Sequence, residues 1–427
     1  MAGFRVALAV ALGLLVIAPA IAAPSKEQWV ETWGTAQPLV PAPRRPPPPP
    51  PAAGATPRPA PPSPIVPVPA TVQDQTIRMT LRTSIVGSQL RLSFSNIANG
   101  STVTIDSIHV ARLRDGSTID PDFDRVVTFS GSKQLVLQSG ALVVSDPVNL
   151  SVPALTPLAV SIYLKDQATT DTVHALGLAP AFIAKGDQTA ATSLPDAQLV
   201  RSYFWLTGVR VLAPDPAAGT IVALGDSITD GYATTPGANA AWPSLLAARL
   251  QTDCRLRHLG VVNMGISGNR VLRTGFGDSA LARFDRDVLG RPGVKWLLLF
   301  EGINDINMSI IPGVPANEHV TADQIIAGLD QLATRARQHG IKVAAATIMP
   351  TNGLPFYSNK GKAMWQQVNQ WIRTSGRFDA VFDFDQAARD PADPTRLRRD
   401  FDPGDHVHPN DAGNYAMADA IDLKVFR

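Results

Sequence analysis

The hydrophobic rhythm of the chain changes at Thr220. Between Gln73 and about Val209, apolar and polar residues alternate with period two. Ile77-Arg78-Met79-Thr80-Leu81-Arg82 is one such run and Leu90-Arg91-Leu92-Ser93-Phe94-Ser95 another, with Gly87-Ser88 as the expected turn between them. Further strands are expected at Val103 to Ala111, Val126 to Phe129, Leu135 to Leu137, Leu158 to Leu164 and Leu199 to Trp205. The turns are rich in Gly, Asn and Asp and no helical period persists. This predicts an antiparallel β-sandwich, with one face of each sheet in a core.

From Thr220 onward the strands become short and fully apolar, and helices separate them. Strands are expected at Ile221 to Leu224, Val261 to Asn263, Trp296 to Phe300, Val343 to Ile348 and Val381 to Asp383. Helical patterns cover Ala240 to Leu250, Ala322 to Gln338, Ala363 to Thr374 and Ala412 to Leu423. Apolar strands alternating with helices mean a parallel sheet covered on both faces. In such sheets ligands sit outside the carboxyl ends of the strands, so the loops after the strands are where chemistry belongs.

The N-terminal region reads differently. Arg5 precedes an apolar stretch from Val6 to Ile17, and Ala20-Ile21-Ala22 has the small-x-small form of a cleavage site. Residues 1–23 are therefore expected to be a secretory signal; the apolar run is short for a spanning helix, and Pro19 follows it. The mature protein is expected to be secreted or periplasmic, with no transmembrane segment after signal removal. Residues 24–37 contain a possible strand at Trp29 to Trp33. Of the 37 prolines, 16 fall between Pro38 and Pro69. Residues 38–72 are thus expected to be a polyproline II spacer or loop rather than helix or central strand, with a proline-dependent docking site as the alternative. This leaves a sandwich domain over 73–212 and a second domain over 213–427.

Composition narrows the function. The chain has 427 residues, with 38 basic against 36 acidic side chains and a net charge of +2. No basic surplus exists to hold a polyanion, so nucleic acid is not an expected partner. The single cysteine, Cys254, excludes a disulfide framework, a Cys-rich zinc site or an iron–sulfur cluster within the chain. Nothing in the composition bears on oligomeric state.

Four loops carry candidate chemistry. They are Gly225-Asp226-Ser227-Ile228-Thr229-Asp230-Gly231, Asn263-Met264-Gly265-Ile266-Ser267-Gly268-Asn269, Glu301-Gly302-Ile303-Asn304-Asp305 and Asp405-His406-Val407-His408-Pro409. A serine hydroxyl needs a base within hydrogen-bond reach to become a nucleophile. Ser227 is the candidate nucleophile and His408 the candidate base. Asp405, three residues earlier, can fix the imidazole tautomer. Charge developing on an ester carbonyl oxygen needs donors already aimed at it. The backbone N–H groups of Ser227 and Gly268 and the side-chain amide of Asn304 can supply them. Asp226 and Asp305 are expected to brace the loops as hydrogen-bond acceptors.

Competing readings of these residues are weaker. Ser267 as nucleophile, like Ser227, lacks the Gly-x-Ser-x-Gly elbow of α/β-hydrolases. The glycines do not spell a dinucleotide-binding fingerprint. Asp405, His406 and His408 have a spacing seen in metal sites, but no further ligand motif accompanies them, so no metal or other cofactor is expected. His109 and His174 stand alone among the strands and read as ordinary surface or satisfied residues. Trp242 either lines the pocket or packs the start of a helix.

The four blocks together resemble the GDSL, or SGNH, hydrolases. The resemblance runs from about Thr220 to Arg427. It rests on Gly225-Asp226-Ser227, the glycine Gly268, Gly302-x-Asn304-Asp305 and Asp405-x-x-His408-Pro409. It implies a flavodoxin-like three-layer α/β/α domain with five parallel strands and a serine esterase mechanism through an acyl-enzyme. The preceding sandwich, with Trp29 to Gln37, is similar to the bacterial xylan-esterase-like subgroup. The chain departs from that subgroup by the proline tract inserted after Trp33. The expected substrate is an acetyl or other short acyl ester on a small molecule or polysaccharide. A lipase, thioesterase or general arylesterase is the alternative within hydrolases, and a non-catalytic glycan-binding protein is the alternative outside them.

Overall fold

The computed structural model describes residues 28–37 and 66–427. The expected signal and the core of the proline tract lie outside the described residues. Strands β1 (Gln28–Gly34), β2 (Gln75–Arg82), β3 (Leu90–Ser95), β4 (Ser107–Asp115), β5 (Leu142–Val144), β6 (Pro157–Leu164), β7 (Ala181–Lys185), β8 (Gln198–Val200) and β9 (Leu206–Ala213) form two antiparallel sheets. One runs β1-β9-β3-β5 and the other β8-β7-β2-β6-β4, with short strands added at the β4 edge. Ile77, Met79, Val160 and Ile162 from the second sheet share a core with Leu92, Phe94, Val209 and Val211 from the first.

Three details correct the period-two reading. β2 and β3 are not a hairpin across Gly87-Ser88: β2 pairs with β6 and β7, whereas β3 pairs with β9 and β5. The chain crosses between sheets there, as strands of a sandwich commonly do. Arg78, at a nominally outward position, is fully buried. Its guanidinium donates to Ser161 Oγ (2.8 Å) and to the carbonyls of Ser117 (2.6 Å) and Ala191 (2.6 Å), so loops cover that face. The sandwich also begins before residue 73, because Thr71–Val72 pairs with Ala168–Thr169.

The second domain alternates strand and helix: β10 (Gly219–Gly225), α1 (Ser227–Asp230), α2 (Trp242–Thr252), β11 (Leu259–Gly265), α3 (Ala280–Phe284), β12 (Val294–Phe300), α4 (Ile303–Met308), α5 (Ala322–Gln338), β13 (Lys342–Ala346), α6 (Asn359–Thr374), β14 (Ala380–Phe382), α7 (Phe384–Ala388) and α8 (Asp411–Asp419). The five strands are all parallel, in the order β11-β10-β12-β13-β14. This is the flavodoxin-like order, whose crevice opens beside the first strand where the winding reverses. Helices α2, α7 and α8 pack together, and α3, α5 and α6 form a second group. The start of α5 shows how local sequence fixes an end: Thr321 and Gln324 form a reciprocal capping box. Ile325, Leu329, Leu332 and Ala336 then bury one face at helical spacing. Trp242 is buried at the start of α2 with its ring 5.4 Å from that of Phe384, so it packs the helix onto α7. Cys254 is exposed. No helix among the described residues is long and apolar enough to cross a membrane.

The first strand ties the two halves together. β1 is an edge strand of the sandwich, with Gln28 opposite Ala213 and Gly34 opposite Gly208, and it also lies against β11. Residues 28–37 are thus part of the folded body and not a detached segment. Glu31 donates its backbone N–H to Thr220 Oγ1 (3.0 Å), and its buried carboxylate meets Arg291 Nη1 at 3.1 Å. Arg291 also donates to the Thr207 carbonyl (2.9 Å), so one guanidinium serves β1, β9 and the second domain.

Candidate active site

All four sequence blocks meet outside the carboxyl ends of β10, β11 and β12. β10 ends at Gly225, and Asp226 caps the single helical turn α1 by accepting from the Ile228 N–H (2.9 Å). Ser227 is the first residue of that turn, where a backbone N–H has no partner within the helix. Its Oγ lies 2.8 Å from His408 Nε2, and His408 Nδ1 lies 2.7 Å from Asp405 Oδ2. Asp405 Oδ1 also accepts the backbone N–H groups of Val407 and His408, both at 3.0 Å, which folds the loop into one tight turn. Burial works against ionising Asp405, yet the hydrogen bonds from His408 and these N–H groups outweigh it and hold the carboxyl below its usual range. The Tyr232 ring lies 4.3 Å from the imidazole and supports one face of it.

The expected oxyanion donors sit on adjoining loops. Gly268 adopts φ +79°, a conformation that side chains disfavour, and its Cα lies against the Phe276 ring. Asn304 donates one amide N–H to the Asn269 carbonyl (2.9 Å), which fixes the amide plane and leaves its second N–H. Asp226 caps the nucleophile turn. Asp305 accepts the N–H groups of Val271 (2.7 Å) and Leu272 (3.2 Å), binding the second block to the third. Burial pushes Asp305 up to about 6.

Four residues that sequence reasoning passed over shape the site. Arg283, wholly buried on α3, donates to the carbonyls of Gly225 (2.9 Å) and Met264 (2.6 Å) and to Asn269 Oδ1 (3.0 Å), clamping the ends of β10 and β11. Glu301, at the end of β12, is buried against Asp226. Burial and the Asp226 charge push Glu301 well above its ordinary value, and burial pushes Asp226 up to about 6. Tyr232 flanks the imidazole, as described above. The fourth residue is His174, read from sequence as an isolated satisfied residue. It is satisfied and buried, but its partner is Asp230 of α1 at 2.9 Å, across the domain boundary. Of these, Tyr232 follows the first block and Glu301 opens the third, so both carried a local signal; Arg283 and His174 lie outside the four blocks. Among the described residues, no three His, Cys, Asp or Glu side chains gather in a way that could hold a metal ion. His406 instead faces Asp402 at 2.6 Å.

A five-stranded parallel sheet of this α/β/α type, with these loops at its carboxyl ends, is a frame on which a carboxylic ester hydrolase site can be built. Residues 223–416 match the GDSL-like Lipase/Acylhydrolase family. No curated protein sequence matches the chain significantly. Among solved structures, the chain is similar to an acetylxylan esterase from Geobacillus stearothermophilus, at 24% identity over 47% of this chain and 91% of the other, with a TM-score of 0.37. It is also similar to a GDSL-like lipase from Bacteroides thetaiotaomicron, at 19% identity over 50% of this chain and 90% of the other, with a TM-score of 0.37.

Proposed function

We propose that the protein is an exported serine esterase that removes acetyl or other short acyl groups from a carbohydrate. The observation that carries the esterase mechanism is the continuous chain Ser227 Oγ to His408 Nε2 to Asp405, with contacts of 2.8 and 2.7 Å. Ser227 attacks the ester carbonyl carbon while His408 takes the hydroxyl proton. Asp405 keeps the other ring N–H in place and stabilises the imidazolium that forms. Negative charge gathers on the carbonyl oxygen, where the N–H groups of Ser227 and Gly268 and the free amide N–H of Asn304 receive it. His408 then returns its proton to the departing alcohol oxygen. Water then enters and, as His408 takes its proton, its oxygen adds to the acyl-enzyme carbonyl carbon; the bond to Ser227 Oγ breaks, His408 returns the proton to Oγ, and the acid leaves. No step needs a metal or cofactor.

Two features support a hydroxyl-rich alcohol and export. Polar pairs lie on the loops that carry Gly268 and His408, with Arg270 paired to Glu318 (3.1 Å) and His406 to Asp402 (2.6 Å). The leader-like residues 1–23 direct such a chain to where polysaccharides are met. The test is acetate release from a panel of acetylated oligo- and polysaccharides beside p-nitrophenyl acetate and a long-chain triglyceride. Turnover of the triglyceride alone would favour a lipase. Turnover of the aryl ester but no glycan would leave a general arylesterase.

A further inference from the structure

His174 contacts the nucleophile turn from the other domain, and its geometry fixes its charge. Both ring nitrogens face acceptors only. Nδ1 lies 2.6 Å from the Ala36 carbonyl oxygen, and Nε2 lies 3.0 Å from the Leu176 carbonyl oxygen and 2.9 Å from Asp230 Oδ1. A neutral imidazole has one N–H and one lone pair. One nitrogen would then press a lone pair against oxygen, whereas the imidazolium satisfies both. Burial opposes the charge, but the Asp230 carboxylate and the two carbonyls outweigh it and hold the ring above its ordinary value. Asp230 is itself raised by burial, which His174, the Ser267 N–H and Arg283 of the second domain oppose, so the two partners support each other's charges. Tyr203, on the strand opposite His174, is raised by burial and stays a neutral phenol.

Asp230 is well placed to transmit this contact. It ends the turn that begins with Ser227, and its backbone lies so close to Gly265 that a side chain there would collide with it. Its carboxylate also faces the Ser267 N–H, one residue before Gly268. The same sandwich loop reaches further: the Gly237 N–H donates to the Leu178 carbonyl (2.6 Å), and the Leu178 side chain rests on Gly231.

We propose that His174 of the sandwich is a positioning residue of the esterase: as an imidazolium it holds Asp230, and through it keeps the Ser227 turn and the Gly268 loop in register. The inference rests on the esterase reading above. The sandwich is then part of the active-site framework, and catalysis fails on the alkaline side as His174 loses its proton.

The experiment uses the full-length secreted protein as wild type, His174→Gln, Asp230→Asn and Ser227→Ala. It measures thermal midpoint, kcat and KM on p-nitrophenyl acetate from about pH 6 to about pH 10, and the rate at which a fluorophosphonate labels Ser227. In His174→Gln, well below its midpoint, kcat and the labelling rate should both fall about 10–100-fold with KM nearly unchanged, because misplacement of about 1 Å costs on that order. Asp230→Asn should do the same, and the alkaline limb should vanish in both. Folded variants that label Ser227 at the wild-type rate and keep the limb overturn the proposal. Nitrogen-15 NMR of histidine-labelled wild type gives an answer independent of the variants: His174 should be doubly protonated at neutral pH, and a neutral ring there overturns the proposal. Wild type that turns over ester without labelling at Ser227 overturns the esterase reading itself and the proposal with it.

Discussion

Two histidine–aspartate pairs of nearly equal length lie on either side of the nucleophile turn. His408–Asp405 (2.7 Å) sits at the mouth of the site with side chains 19% and 20% exposed; His174–Asp230 (2.9 Å) lies in the domain interface at 5% and 6%. The pairs differ in what the second ring nitrogen meets. For His408 it is the Ser227 hydroxyl, which can donate, so a neutral ring with its proton on Nδ1 is satisfied and the lone pair is free to take the serine proton. For His174 it is the Ala36 carbonyl, which can only accept. On the readings proposed above, the same pair gives a base in one place and a fixed cation in the other, and the third partner decides which.

That contrast orders the expected losses. Ser227→Ala should remove hydrolysis almost wholly, on the order of 10⁶-fold in kcat, with an unchanged thermal midpoint. Substantial residual turnover would move the chemistry elsewhere. Asp405→Asn should cost about 10⁴-fold by favouring the wrong tautomer of His408. Asn304→Ala should lower kcat about 10²–10³-fold through the loss of one oxyanion donor. A change confined to KM would make Asn304 a substrate-binding residue instead. His174→Gln should cost less than any of these and should alter the alkaline limb, which Asp405→Asn and Asn304→Ala leave in place.

The sign of that limb follows from the direction of the shift. A histidine held above its ordinary value contributes fully below about pH 6.5, and the contribution is lost as pH rises through the raised value. Asp405, held below its ordinary value, behaves oppositely. Its contribution is present above about pH 3.9 and is lost as pH falls through the depressed value. The smallest catalytic effect belongs to Glu31→Gln. It removes one of two carboxylates beside the buried Arg291, Asp287 Oδ1 remaining at 3.9 Å, and should lower stability. Because it loosens the same interface away from the nucleophile turn, Ser227 labelling should stay at the wild-type rate. An equal loss of labelling in Glu31→Gln and His174→Gln would mean that any loosening of the interface disturbs the site.

The legible parts of this molecule are those whose physics is local. Asp226 caps a turn two residues away and Asp405 reaches an imidazole three residues on, so both motifs carry their geometry within one loop. The helix over Ala322–Gln338 was readable from its apolar period. The sandwich was less legible because alternation reveals a strand but not its partner. Nothing in Ile77 to Ser95 says that β2 and β3 belong to different sheets. The alternation even misassigned Arg78, whose outward face is covered by loops from far along the chain.

By itself, the sequence determined the parallel α/β half, its order of loops and the residue types that could carry acyl transfer, because each depends on short-range periodicity and on motifs a few residues long. Only the tertiary structure decided that β1 joins the sandwich across the proline tract and that Arg283 gathers the strand ends. It alone paired His174 with an aspartate 56 residues away. Those contacts arise from packing two domains together, and the charge of a buried histidine is set by the oxygens that packing brings to both sides of its ring.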